Sequence, residues 1–500
     1  MEARRREDET YLLHQTDRER RQMVGQEFFD WLKKAGYDQV VYQGNIEDAL
    51  PEAVRPALTA HGAPPSAYQG RMIGISTALI PQFPRGVILD EPLLPAEQQF
   101  WQELWKNLGI PSPTIIIGDY SQQQPGVFYY PFIGSNNFYE THKGNSLPPA
   151  EKFNNKARMR KLLREISLSG NIVPGIEIFY QGQELSDYVD LIYQEVAKYS
   201  RESDKRLLIK LGNTASGLLN VRVNPDMVAV NDLELQLRIK EQIYAMFQSP
   251  YDGELYPGDV VVEEVIDFGQ QEDGWGDFSL RGFILPSGEL VFFSVGRVIS
   301  DQNGQYLGMV MVESTSEEQL TQIGLTKEKL LSVIDTSRRI SQKMYQFGYF
   351  GPYSIDFFSP QDPTNQTFLI HDYNMREGGT TISGLASSVS GMIFGEMTAV
   401  LDIELKLKSK GGLLNKALNQ LVAQLQATRM FPYATTFLNY PQQEKTGKIY
   451  TVKLLLPYQG TALTDDEVAD YIKRVVDGLN CRLPESSISF RSPLQASLQK

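Results

Sequence analysis

Apolar and polar positions alternate with two different periods along this chain. Helical spacing marks residues 24–35 with a stop at Gly36, and AEQQFWQELWKNLGI (96–110) with a stop at Gly109. Short apolar runs at Met72–Ile80, Gly86–Asp90 and Thr114–Tyr120 read as strands. Strands alternating with helices predict an open α/β domain over 24–150, bounded by the polar, proline-containing SLPPAE. Beyond it, Met159, Leu162, Leu163 and Ile166 fall on one helical face, with Asn154 or Asn155 as cap and Gly170 as terminator. NIVPGIEIF resumes as extended chain, and helices are predicted over 187–199, 233–247 and 327–347. RLLIKLGNTASGLLNVRV reads as strand, small-residue loop and strand, and DVVVEEVID as a strand ending in carboxylates. FSLRGFILPSGELVFFSVGRV reads as a hairpin turned at 286–288. The segment 411–500 predicts a small α+β module: a helix over 413–428, the strand KIYTVKLLLPY, and the helix TDDEVADYIKRVVDGLN. That helix has Thr464 and Glu467 as a capping box and Gly478 as its stop. Residues 1–23 mix charges of both signs and read as a solvated arm.

The most chemically informative stretch is GPYSIDFFSPQDPTNQTFLIHDYNMREGGTT, residues 351–381. It pairs two strands that carry Asp356 and Asp372, and alternation puts Asn374 on the face of Asp372. Two carboxylates and an amide make a hard-oxygen site suited to Mg²⁺ on phosphates. Arg376 follows on the same parity. Lys156 opens a helix, and Lys210 runs into GNTASG, where small residues let backbone N–H groups approach an anion. The lysine precedes the small residues, so this is not a Walker A loop. Glu263 and Glu264 close VVVEE next to backbone that could meet an adenine edge, and Arg281 and Arg297 flank the hairpin as candidate anion forks.

Composition narrows the field. Net charge is −13, which argues against a general nucleic-acid or anionic-membrane surface. Cys481 is the single cysteine, so no intramolecular disulfide forms and a reducing, cytoplasmic compartment fits. Four scattered histidines make a zinc site a poor reading, and no apolar run reaches transmembrane length.

The order of these parts, from lysine-led helix through lysine–glycine loop, VVVEEVI and two arginines to D…DxNxR, resembles the ATP-grasp superfamily between 153 and 379. The resemblance implies a pre-ATP-grasp-like α/β domain (24–150), an ATP-grasp domain of two α+β subdomains (151–410) and an added C-terminal module. It implies Lys156 and Lys210 on nucleotide phosphates, Ser216 and Gly217 in the covering loop, and Glu263, Glu264 and Ile266 at the adenine hinge. Asp356, Asp372 and Asn374 become ligands for Mg²⁺, with Mn²⁺ as a substitute. Arg281 and Arg297 become a phosphate-gripping pair and Arg376 the oxyanion arginine. The implied activity is ATP-dependent joining of a small-molecule carboxylate and an amine, amino acids or a peptide, through an acyl phosphate. The spacing most resembles the pheganomycin-type peptide ligases. A carboxylate kinase on the same fold and a non-catalytic nucleotide-binding regulator are the alternatives, and dimers are common in the family, which leaves a homodimer open. Asp372 stands where the family more often has Glu, and His371 beside it is a departure.

Overall fold

A computed structural model describes residues 17–44, 83–89, 109–118, 124–131, 134–150, 153–212, 220–229, 233–248, 255–266, 275–300, 306–312, 315–360, 364–376, 399–409, 431–438, 449–458, 465–482 and 486–490. A few positions between 72 and 106 and at 362 are also described. The fold is α/β and α+β, as the patterning predicts: one parallel sheet and two antiparallel ones.

Helix α1 (Asp17–Lys34) precedes β1 (Gln39–Gln43), β2 (Arg85–Leu89), β3 (Thr114–Ile117) and β4 (Val127–Pro131). These form a parallel sheet in the order β3-β2-β1-β4, with short helix α2 (Asn136–Thr141) behind. The strand expected at 72–80 is not formed at its described positions. Met72, Ile73 and Ser76 are helical, with Ser76 Oγ donating to the Ile73 carbonyl. Their i, i+1, i+4 spacing lets Met72 and Ile73 enter the apolar cluster under α1.

Helix α1 begins well before Val24. Arg20, expected to be solvated, is buried: its guanidinium donates to the Phe293 carbonyl and lies over the Phe292 ring. Arg21 covers Phe293 in the same way. The N-terminal layer is thereby fastened to the hairpin that carries part of the site.

Next come α3 (Lys156–Glu165), β5 (Gly175–Ile178), α4 (Leu185–Ser203), β6 (Leu207–Leu211), β7 (Val221–Val223), α5 (Pro225–Ala229), α6 (Leu233–Met246) and β8 (Val260–Glu264). The strands make a small antiparallel sheet, β5-β8-β6-β7, whose apolar face packs on α4 and α6. Asn155 caps α3, its side chain accepting from the Arg158 N–H.

Among the described residues the largest sheet has nine strands. The hairpin β9 (Trp275–Ile284) and β10 (Leu290–Ser300) lies beside β12 (Gly351–Pro360) and the edge strand β13 (Leu369–Asn374). β11 (Tyr306–Met311) continues on the other side. Helices α7 (Glu317–Gln322), α8 (Lys327–Gln346) and α9 (Asp465–Arg482) follow in the sequence. Leu320, Leu330, Ile334, Val475 and Leu479 from these helices join Phe278, Leu280, Ile355 and Phe357 in one core. The C-terminal strands β14 (Ala399–Ser409), β15 (Phe431–Leu438), β16 (Ile449–Tyr458) and β17 (Ser486–Phe490) extend this same sheet through β11. Gly478, read as a stop, lies inside α9, which runs on to Arg482. The helix expected at 413–428 lies outside the described residues. Among the described residues no helix is long and apolar enough to cross a membrane.

Candidate functional site

Antiparallel register sets the centre of the site. Across β9, β12 and β13, Ser279 lies opposite Asp356, and Asp356 opposite Asp372. The neighbouring row runs Arg281, Ser354, Asn374. Directly opposed residues share a face. Asp356, Asp372 and Asn374 are therefore brought together as the alternation predicted: Asn374 Nδ2 is 3.5 Å from Asp356 Oδ2. Arg376 joins them, donating to Asn374 Oδ1 at 2.9 Å.

One irregularity shapes the rest. Between Asp356 and Phe357 the pairing with β13 slips by one residue, leaving His371 as the extra residue of a β-bulge. Without it, Ile370 and Asp372 would share a face. With it, Ile370 enters the core opposite Phe357, while His371 turns toward Asp277 and Phe358. Its Nε2 is 3.0 Å from Asp277 Oδ1, and its ring stacks on Phe358 at 4.1 Å between centroids.

Lys156 reaches this edge from the first turn of α3 and pairs with Asp372 Oδ2. The approach is fixed by backbone. The Lys156 N–H donates to the Gly212 carbonyl, and the Gly212 N–H to that of Asp259. A Cβ on Gly212 would meet Asn155 Oδ1 at 2.8 Å, so only glycine fits this crossing. Asn155 Nδ2 donates to Asp259 Oδ2, and Asn154 Oδ1 accepts from the Met375 N–H. Consecutive residues 154–156 thus tie the end of β13, the start of β8 and the loop after β6 into one junction.

Lys210, on β6, pairs with Glu263 on β8. Glu263 is almost wholly buried and also takes Arg160 at 2.8 Å, while Arg160 grips Glu177 at 2.7 Å. The Glu263 side chain is therefore committed to holding two cations and is not presented to a base edge. Glu264 accepts the Tyr199 hydroxyl at 3.0 Å, and its N–H is taken by the Pro174 carbonyl. The Val265 N–H goes to Arg206, so at this hinge the backbone around Glu264 and Ile266 is partly used by the sheet itself. Ser216 and Gly217 lie outside the described residues.

Electrostatics distinguishes the two aspartates. Burial, and then the facing charge of Asp372, push the Asp356 carboxyl above its ordinary value. Burial acts the same way on Asp372, but Lys156, His371 and Arg376 outweigh it and hold that carboxyl well below the usual range. Burial likewise opposes ionisation of Glu263, and Lys210 with Arg160 overcome it. Burial lowers His371, but the charge and hydrogen bond of Asp277 carry it above 6.5. His371 also lies within the fields of Lys210 and Asp356. Lys210 on the small sheet and Asp356 on the large one therefore both act on one imidazole.

The expected arginine pair does not converge. Arg281 shares the face of Ser279 and donates to Ser279 Oγ at 3.2 Å. Arg297 lies opposite Phe278, which belongs to the core on the other face. A Cβ on Gly324, two residues past α7, would lie 3.6 Å from a terminal nitrogen of Arg297. The reason is register: residues 278 and 281 differ in parity, so a guanidinium opposite one cannot join a guanidinium at the other.

Ser279, Asp277 and Asp259 were not singled out from sequence. Ser279 and Asp277 share the parity of Arg281 in DFSLR, which was the available signal. Among the described residues no group of three or more His, Cys, Asp or Glu side chains is placed to hold a metal ion. Two facing carboxylates with an amide beside them are instead the oxygen-donor types that a hard cation takes.

No protein-family model matches the chain, and no curated protein is similar to it. Solved structures resemble it in outline. Biotin carboxylase from Campylobacter jejuni, bound to β,γ-ATP, is 11% identical with TM-score 0.45, covering 92% of this chain and 93% of that one. N5-carboxyaminoimidazole synthetase from Staphylococcus aureus, complexed with ADP, is 10% identical with TM-score 0.45, covering 87% and 96%. D-alanyl-alanine synthetase A from Vibrio cholerae is 12% identical with TM-score 0.39, covering 69% and 90%. Likeness at this level transfers no activity to the chain.

Proposed function

We propose that the chain is an ATP-dependent carboxylate–amine ligase of the ATP-grasp type, joining an amino acid or peptide to an amine with release of ADP and phosphate. The observation that carries this reading is the facing pair Asp356 and Asp372, met by Lys156 from α3, with Lys210 of the small sheet acting on His371 beside them. Ammonium groups beside hard oxygens suit a polyphosphate held through a divalent ion.

Asp356, Asp372 and Asn374 would hold Mg²⁺, a half-turn of the Asn374 amide exchanging its nitrogen for oxygen. The ion supplies charge neutralisation at the transferred phosphoryl group. Lys156 and Lys210 exchange carboxylate partners for phosphate oxygens. The substrate carboxylate attacks the γ-phosphorus, the bond to ADP breaks, and an acyl phosphate forms. The amine then attacks the acyl carbon, the C–O bond to phosphate breaks, and the proton shed by the amine leaves with the phosphate. Arg376, already hydrogen-bonded beside the aspartates, faces the oxyanion, and Arg281 supports the same face. Ser216 and Gly217, in the small-residue segment 212–217, would on this reading cover the phosphates and exclude water from the acyl phosphate. Residues 24–150 form the leading domain on this reading, 151–410 the nucleotide-binding unit, and 411–500 an appended module.

The test is a screen of amino acids and dipeptides with ATP and Mg²⁺, read by mass spectrometry for a new amide and by ADP release. Amide formation that requires both an acid and an amine is the expected result. ADP release with a phosphorylated acid and no amide would make it a kinase, and failure to bind ATP would remove the reading altogether.

A further inference from the structure

We propose that Ser279 is a positioning residue for the cation site: it reserves one oxygen of Asp356 for the metal by engaging the other. The inference rests on the ligase reading above and adds to it a residue that contacts neither nucleotide nor metal.

Ser279 is buried in the middle of β9, directly opposite Asp356. Its Oγ lies 2.6 Å from Asp356 Oδ1 and 3.2 Å from a terminal nitrogen of Arg281. A hydroxyl has one proton to give, and a guanidinium can only donate. Arg281 therefore fills an acceptor site on Oγ, and the single Ser279 proton is directed to Asp356 Oδ1. The carboxylate is held in one rotamer, with Oδ2 turned toward Asn374 and the Asp372 strand. The relay Arg281–Ser279–Asp356 is the oxygen-ligand counterpart of the hydrogen bonds that orient histidine ligands in metal sites. It also gives Arg281 a contribution transmitted through Ser279, while Arg297 lies on the far face.

The experiment measures Mn²⁺ binding to the full chain in the presence of adenylyl imidodiphosphate, by loss of the free-ion electron paramagnetic resonance signal. Ser279→Ala should weaken Mn²⁺ about 10- to 100-fold. Ser279→Thr, which keeps the hydroxyl, should stay within about threefold of the parent. In turnover, Ser279→Ala should raise the Mg²⁺ concentration needed for half-maximal rate, with kcat largely recovered at saturating Mg²⁺. Circular dichroism melting of each variant accompanies the titration, and Ser279→Cys, of similar volume with a poorer donor, replaces the alanine variant if that chain does not fold. Parent-like Mn²⁺ affinity in Ser279→Ala, or a threonine variant as weak as alanine, would overturn the proposal. Asp356→Asn separates the two levels. If it abolishes Mn²⁺ binding while Ser279→Ala does not weaken it, only the positioning role fails; if the parent itself holds no Mn²⁺ with nucleotide, the site reading fails.

Discussion

Asp356 and Asp372 face each other across β12 and β13, yet their environments drive their carboxyls in opposite directions. Asp372 has Lys156 as a direct counter-ion. Asp356 has a serine hydroxyl and a carboxylate neighbour. One aspartate therefore has its charge compensated by a lysine, while burial and then its carboxylate neighbour oppose the charge of the other.

That asymmetry separates two substitutions of the same size. Asp356→Asn removes a charge that burial and Asp372 already oppose, so the melting temperature should hold or rise while turnover falls by about 10²-fold or more. Asp372→Asn strands the Lys156 ammonium in a partly buried position and should cost about 1–3 kcal/mol in denaturant unfolding, besides abolishing activity. Equal destabilisation by the two would contradict the assigned roles.

Lys210 is held by Glu263, and Glu263 by both Lys210 and Arg160. Lys210→Met should weaken ATP binding about 10- to 100-fold, the value of a charge-assisted contact, as read by calorimetry. The fold should survive, because Arg160 still compensates Glu263. Unchanged ATP affinity would exclude Lys210 from the nucleotide cleft.

Strand alternation made the shared face of Asp372 and Asn374 legible, because the two obey a period of two whatever their neighbours do. The cap at Asn155 and the helices expected over 187–199 and 327–347 were legible for the same local reason, although the first runs longer at both ends, over 185–203. Two misses were local, the strand expected at 72–80 and the stop at Gly478; the others depended on pairing between distant segments. The bulge at His371 exists only because β13 must serve the core through Ile370 and the site through Asp372, a conflict invisible in LIHDYN alone. Arg281 and Arg297 looked alike as hairpin flanks, and only the register of β9 on β10 assigns them to opposite faces. Arg20 and Arg21 looked solvated because their ring partners lie more than 270 residues away.

Acid sensitivity should trace in part to the N-terminal layer. His142 stacks on Tyr129 at 3.9 Å and is buried, which pushes it down from 6.5 to about 4. The unfolded chain then takes up this proton near pH 6.5 while the folded chain does not until about pH 4. Stability is therefore lost as pH falls through that window, by at most about 3 kcal/mol. His142→Phe keeps the aromatic stack and should flatten the pH dependence between those limits, measured by urea unfolding at each pH. An unchanged slope would mean His142 is protonated in the fold.

The face assignment of Arg297 gives the sharpest check on the geometry. It points into the layer of α7 and α8, and Arg281 into the Ser279–Asp356 row. Arg297→Met substitutes an apolar chain of similar length on the core face. It should change unfolding free energy by about 1–3 kcal/mol in either direction, depending on how well the methionine replaces the guanidinium contacts. The KM for ATP and the Mg²⁺ requirement should stay within about twofold, since Arg297 lies on the Phe278 face and not on that of Asp356. Arg281→Met should do the opposite: it leaves Ser279 without its donor, loosens Asp356, and raises the Mg²⁺ requirement about 10-fold or more. Steady-state kinetics of the two variants, run over a Mg²⁺ series, reads both effects at once. Should Arg297→Met raise the KM for ATP as strongly as Arg281→Met, the register of β10 on β9 would have to be wrong by one residue, and the two guanidinium groups would share the cleft after all.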